Sequence, residues 1–163
     1  MTRAWRVLSC AIACVIAAMH VGCAPDAMQV DRTGGVELEF MWSQDSEQRK
    51  AYYRVTRDGE FASAGGVNAR DRDPNFRAAM SDAEIARFIE LLRATGYASR
   101  GDESGDGEPR SELAVRDADG RTRFVVFGAD PSIEALRAWL AELSMRQFRD
   151  VIEAQPEAGP RKR

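Results

Sequence analysis

The sequence predicts an α+β domain of two layers, in which two helices cover one face of an antiparallel sheet of about five strands. Three observations predict this class. Several short runs alternate apolar and polar residues, as strands with one buried face do. The Asp-Gly pairs at 58–59 and 119–120 are typical of hairpin turns, and two segments repeat apolar residues at helical spacing. The predicted order is β-β-β-α-β-β-α over residues 36–153, which is enough chain for a single core.

The first three strands precede the first helix. The first is predicted by four apolar residues at alternate positions, Val36, Leu38, Phe40 and Trp42. The second contains Tyr53 and Val55 and ends at Asp58-Gly59, where we expect a two-residue turn with positive φ at both positions. Residues 60–64 return antiparallel. Residues 65–79 contain Gly65-Gly66 and Asp73-Pro74-Asn75, and are therefore predicted to be irregular.

The first helix is predicted over residues 82–95. Ser81 and Glu84 form the two ends of a capping box, with Met80 and Ile85 at the flanking apolar positions. Its apolar stripe follows helical spacing and consists of Ile85, Phe88, Ile89 and Leu92. Gly96 is placed to end this helix, with Tyr97 folding back on it.

The second half repeats the scheme of hairpin and helix. Residues 99–110 are predicted to be a loop, and strands follow from Leu113 and over 124–127. Asp130 and Pro131 are the predicted N-cap and first residue of the second helix. Its stripe is Ile133, Leu136, Leu140 and Leu143, and Phe148, Val151 and Ile152 suggest that it continues past Arg146. Residues 154–163 are predicted to be a disordered tail.

The first 22 residues have the composition of an export signal. Arg3 and Arg6 precede an apolar run from Val7 to Met19, which is the length of a signal-peptide core and short for a membrane span. Val21-Gly22-Cys23 resembles the lipobox of bacterial lipoproteins. That resemblance implies cleavage before Cys23, attachment of a palmitate-type lipid to its thiol, and a place in the cell envelope. With Ala24 after the cysteine, it implies the outer membrane if the cell has one. Residues 23–35 then form a flexible tether.

The folded part also has a resemblance, which rests on layout. A Tyr53-x-x-x-x-Asp58-Gly59 hairpin precedes the capped helix, and over residues 36–145 this arrangement is similar to small exported bacterial domains of unknown function. The resemblance rests on pattern, so it implies no catalytic residues.

Composition limits the chemistry that is available after cleavage. The chain has one histidine, His20, and of its three cysteines only Cys23 would remain, so histidine-dependent nucleophiles, a zinc site and an internal disulfide are excluded. We expect no cofactor. The formal charge of −3 becomes −5 once Arg3 and Arg6 are removed. Arginines are interspersed with acids along the chain, so we do not expect nucleic-acid binding.

Three aromatic residues, Trp42, Tyr52 and Tyr97, are candidates for contact with a partner. Each is expected at the rim of the core, where an amphipathic ring can recognise a protein or a cell-wall component. Such a ring more often finishes the core with its polar end in water.

The acidic loop over residues 101–108 is the one candidate for metal binding. Asp102, Ser104 and Asp106 match the start of a calcium loop, but Leu113 stands where the bidentate Glu should be, so a solvated surface loop is the simpler interpretation. We therefore expect a lipid-anchored binding or structural module that is not an enzyme, with the membrane and an envelope protein or wall component as partners. The alternative is an envelope hydrolase that uses the carboxylates of Asp71, Asp73, Asp102 and Asp106, with or without calcium.

Overall fold

A computed structural model describes residues 30–153, and the α+β class is confirmed. The sheet is antiparallel throughout and has six strands instead of about five, in the order β4-β3-β2-β1-β5-β6. The strands are β1 Glu37–Gln44, β2 Arg49–Val55, β3 Glu60–Gly65, β4 Phe76–Ala79, β5 Arg110–Asp117 and β6 Gly120–Phe127. The helices are α1 Gly66–Arg70, α2 Asp82–Ala94, α3 Pro131–Ser144 and α4 Arg146–Glu153. The predicted signal segment, Cys23 and the tail lie outside the described residues.

The main core lies between one face of the sheet and the pair α2 and α3, as predicted. The strands contribute Leu38, Phe40, Val55, Leu113 and Phe124, and the helices contribute Phe88, Leu92, Ile133, Leu136 and Leu140, all of them fully or almost fully buried. Alternate strand residues and one stripe of each helix therefore bury their apolar surface against each other, which is the main source of stability. We call this side of the sheet the helix face.

Both predicted helix starts are confirmed. The Ser81 hydroxyl accepts a hydrogen bond from Glu84 N, and the Glu84 carboxylate accepts one from Ser81 N, at 3.4 and 2.8 Å. Asp130 Oδ1 accepts from Ser132 N and Ile133 N at 2.9 and 3.0 Å, with Pro131 at the first position of α3. Gly96 follows α2 with φ +68°, in the left-handed region where glycine is favoured.

The prediction that residues 65–79 are irregular was wrong. α1 begins directly after β3, and β4 pairs antiparallel with β3 as the outermost strand, with Ser63 opposite Phe76. The helix has only five residues and the strand only four, too few for either periodicity to be visible in the sequence. The glycines and Pro74 separate these short elements.

The turn between β2 and β3 also differs from the prediction. Gly59 has φ +79°, whereas Asp58 does not have a positive φ. Thr56 N donates to Glu60 O and Gly59 N donates to Thr56 O, both at 3.0 Å, so the loop comprises residues 57–59. This is the three-residue hairpin in which glycine alone takes the left-handed conformation. A Cβ at Gly59 would also lie 2.9 Å from Ile85 Cδ1, so the turn packs closely on α2.

The two ends of the described segment differ slightly from the predicted bounds. Thr33, assigned above to the tether, is buried, and its hydroxyl donates to Val36 O at 2.6 Å. The packed domain therefore begins before residue 36. At the other end, helix α3 stops at Met145 and α4 is a separate helix. Within residues 30–153, no helix is both long enough and apolar enough to cross a membrane.

Candidate functional site

The sheet side opposite α2 and α3 is covered only in part, and we call it the open face. In β1 it consists of the residues that alternate with the core, Glu37, Glu39, Met41 and Ser43. Helix α1 lies over β2 and β3, where Ala69 packs on Tyr52 and Ala64. Within residues 30–153, no helix lies over β1, β5 and β6 on this side. A shallow trough therefore runs along β1 between α1 and β6.

Positive charge is concentrated on the open face. Nine basic residues lie on it or line its clefts, together with five acidic residues. The basic residues are Lys50, Arg54, Arg70, Arg72, Arg77, Arg110, Arg116, Arg121 and Arg123, and the acidic residues are Glu37, Glu39, Asp45, Glu60 and Glu112. Basic residues thus outnumber acidic ones here, although the whole chain has a formal charge of −3. The local excess of charge on this face is therefore opposite in sign to the net charge of the whole chain.

A bridge of three side chains divides the trough into two clefts. Arg72, from the segment after α1, donates to Glu112 at 3.0 Å, and Arg123 donates to the same carboxylate. Glu112 is 13% exposed and Arg123 is 62% exposed, so the carboxylate lies deep and a guanidinium faces solvent. Burial alone would raise the pKa of Glu112, but Arg123 and Arg72 outweigh it and hold that pKa below its usual value.

The first cleft lies at the Glu37 end of β1 and has a volume of about 300 Å³. Ala114 forms part of its floor, and its charged walls are Glu37, Glu39, Arg54, Arg116 and Arg121. The second cleft, of about 220 Å³, lies at the Ser43 end beside Lys50 and Arg110. The first cleft is large enough to hold a small organic group or a side chain of a partner.

The three guanidinium groups of the first cleft are only loosely paired. Arg116 Nη1 is 3.8 Å from Glu37, Arg121 Nη2 is 3.7 Å from Glu39, and Arg54 Nη2 is 3.8 Å from Glu60. These distances exceed that of a hydrogen bond, and none of the three side chains donates one to another residue within 30–153. The buried Nε of Arg54 is likewise without a partner there. Each guanidinium carries five N–H donors, so the cleft presents many donors to an incoming anion.

The predicted aromatic candidates do not come together. Trp42 is 6% exposed on the helix face, where the guanidinium carbons of Arg137 and Arg49 lie 4.8 and 5.6 Å from its ring centroid. Tyr52 is 4% exposed and lies under α1 on the open face. Tyr97 follows α2 and donates to Asp117 Oδ2 at 2.9 Å, at the other end of the sheet from Trp42. They therefore do not form one recognition surface.

The acidic loop has a structural role along β6. Asp102 Oδ1 accepts from Val125 N at 3.0 Å, and Glu103 N donates to Val125 O at 2.9 Å, so the loop pairs with the edge strand. This covers backbone groups that would otherwise be open to another strand. Ser104 and Asp106 are exposed in the same loop. Within the part of the chain that the structure describes, no group of three or more His, Cys, Asp or Glu side chains is placed to hold a metal ion.

Sequence reasoning missed the arginines of the open face. Arg116 and Arg121 lie directly opposite each other in β5 and β6, and Arg54 lies across β1 from them. In the sequence Arg54 lies far from the other two, and all three are interspersed with acids, so the pattern is that of an ordinary solvated surface. Apolar and polar residues alternate along these strands, and the three arginines all occupy the polar positions, away from the core. That alternation was the signal that could have placed the three arginines on one face of the sheet.

Comparison with known proteins does not assign the chain to a family. No protein-family model matches it, and no curated protein has a significantly similar sequence.

Proposed function

We propose that the protein is a lipid-anchored module of the cell envelope that binds a partner without catalysis, and that the open face is its binding surface. The observation that carries the proposal is the first cleft, where the guanidinium groups of Arg54, Arg116 and Arg121 donate no hydrogen bond to another residue within 30–153. Burying such donors against a matching anion gives specificity, since arginine recognises carboxylates and phosphates with paired hydrogen bonds.

The chemistry of the described residues supports a binding role over a hydrolytic one. Residues 30–153 contain neither histidine nor cysteine, which are common nucleophiles and proton carriers. Burial alone would raise the pKa of Glu112, but Arg123 and Arg72 beside it hold the pKa of that carboxyl below its usual value. A carboxylate held ionised in this way is a poor general acid.

The anchor part of the proposal rests on the sequence around Cys23. The chain enters the domain where Arg32 N and Thr33 N donate to Arg57 O, beside the β2–β3 turn. From Cys23 to Arg32 a fully extended chain would span about 30 Å. The domain would therefore remain within a short distance of the membrane that holds the lipid, with the open face free to meet other envelope components.

Site-specific photocrosslinking in cells tests the binding role. A benzoylphenylalanine is placed at Ala114, on the open face, and in a second variant at Ala86, on the solvent side of α2. Illumination should give a discrete adduct from position 114 and none from position 86. If neither position gives an adduct, or both give the same ones, the open face is not the binding surface.

A further inference from the structure

Beyond the proposed binding role, on which this inference rests, the structure also indicates the chemistry of the partner. We infer that the open face binds an extended acidic segment of another protein, with carboxylate side chains seated among the arginines of the two clefts. The first ground is charge: the face and its two clefts have nine basic and five acidic residues within an acidic chain. Opposite charge on the partner is the complement of that distribution.

The second ground is the shape of the charged surface. The trough follows β1 from Glu37 to Ser43, a length of about 20 Å at the rise of a strand. Arginines lie at intervals along the trough: Arg116 and Arg121 at one end, Arg123 in the middle and Arg110 at the other end. Alternate residues of an extended peptide are about 7 Å apart. Arginines at alternate positions of one strand, such as Arg121 and Arg123 of β6, have the same spacing. Carboxylates at alternate positions of the peptide therefore match these arginines.

The third ground is the mixture of charges around the arginines. In the first cleft they stand beside Glu37 and Glu39 above a floor that includes the small Ala114. A separate carboxylate on a flexible side chain can enter such a recess, and polar groups of the same peptide can pair with Glu37 and Glu39. The same two carboxylates would repel a flat array of lipid phosphates, although Arg116 and Arg121 are themselves 52% and 55% exposed.

Aromatic surface for stacking is missing from the exposed part of this face. Its two aromatic side chains within residues 30–153 are Tyr52, under α1, and Phe127, against which Gly105 of the acidic loop lies. Sugars and unpaired bases are usually held on exposed aromatic rings, so a peptide fits this surface better than a glycan or a single-stranded nucleic acid does.

Neither the acidic loop nor residues 154–163 of the same chain match the occupant. The acidic loop of the same chain is already engaged, because Asp102 binds Val125 N, Glu103 pairs with Arg100 and Glu108 pairs with Ser46. Residues 154–163 carry three basic side chains and one acidic one, so their charge does not complement the face.

Fluorescence anisotropy with a defined probe tests the inference. The full chain is reconstituted in phosphatidylcholine nanodiscs and titrated into a labelled peptide of about eight residues that alternates Glu and Ser, a length that matches the trough. The control peptide alternates Gln and Ser. The test variant is Arg116→Gln with Arg121→Gln, and the matched control, Arg87→Gln with Arg93→Gln, removes the same charge from the exposed side of α2.

We expect the Glu peptide to bind and the Gln peptide not to bind. The cleft variant should weaken binding at least about fivefold, because it removes two charged contacts, and the α2 variant should weaken it less than about twofold. Equal losses in the two variants would mean general attraction between charges and would overturn the inference. So would the absence of peptide binding. Flotation with phosphatidylglycerol vesicles that depends on Arg116 and Arg121, without peptide binding, would replace the peptide by a membrane surface.

These outcomes separate the two proposals. An adduct from position 114 without affinity for the Glu peptide would leave the open face as a binding surface and reject the acidic segment alone. Absence of both would reject both.

Discussion

The junction between Arg100 and Asp130 allows a sharp prediction about stability. Asp130 caps α3 through two backbone N–H groups, and Arg100 Nη2 donates to its other carboxylate oxygen at 2.6 Å. Arg100 also donates to Thr95 O at 3.3 Å and pairs with Glu103, so it links the end of α2 and the acidic loop to the start of α3. The side chains of Arg100 and Asp130 are 20% and 21% exposed.

Two substitutions separate the parts of this junction. Asn is as good an N-cap as Asp, so Asp130→Asn should keep the cap and lose the ion pair, at a cost of about 1 kcal/mol in the free energy of unfolding. Asp130→Ala should lose both and cost about 2 kcal/mol. Urea unfolding followed by circular dichroism measures these values. Asp106→Asn, at an exposed acid of the neighbouring loop, is the control and should change stability by less than about 0.5 kcal/mol.

The same site predicts a dependence on pH. Burial alone would raise the pKa of Asp130, but hydrogen bonds from Ser132, Ile133 and Arg100 outweigh it and hold that pKa well below its usual 3.8. Because the folded-state pKa is lowered, the carboxylate contributes its full stability at neutral pH and loses it as the pH falls below about 4. The stability difference between the native chain and Asp130→Asn should therefore shrink in acid. A constant difference from pH 7 to about 3, or equal costs for Asn and Ala, would refute the reasoning.

Three further predictions concern the core, the acidic loop and the anchor. Phe88→Ala, at a fully buried site, should lower the free energy of unfolding by about 3 kcal/mol or more. The control Val67→Ala, at an exposed site, should lower it by less than about 0.5 kcal/mol. A loss below about 1 kcal/mol for Phe88→Ala would contradict the docking of α2. Millimolar calcium should leave the melting temperature unchanged, and a rise abolished by Asp102→Ala with Asp106→Ala would make the loop a metal site. Cys23→Ser should abolish labelling by a fatty-acid analogue and release the protein from membranes, and undiminished label would exclude lipidation at that thiol.

Much of the fold could be predicted because capping residues and apolar spacing within single segments specify the same helices and strands that pack in the folded domain. The capping box at Ser81 and the stripe from Ile85 to Leu92 specify α2 without any knowledge of the sheet, and the alternation from Leu38 to Trp42 specifies β1. The β4 strand could not be predicted in this way, because four residues are held in place by pairing with β3 and not by a pattern of their own.

The candidate site depends on pairing across strands, which the sequence does not display. Arg54 and Arg116 become neighbours of Glu39 and Glu37 only through the registers of β1 with β2 and with β5. Trp42 shows the converse. Its amphipathic ring suggested a place at an exposed rim, but its alternation with Phe40 already placed it on the helix face, between Arg137 and Arg49.

Nuclear magnetic resonance of the arginine side chains can show directly whether the open face binds an acidic peptide. The Nε–H signals of the full chain are followed while the Glu-Ser peptide is added. We expect saturable shifts for Arg54, Arg116 and Arg121, whose donors are not used inside residues 30–153, and none for Arg87 or Arg93 on α2. Shifts confined to α2, or spread evenly over arginines on both sides of the sheet, would contradict the assignment of the open face as the binding surface.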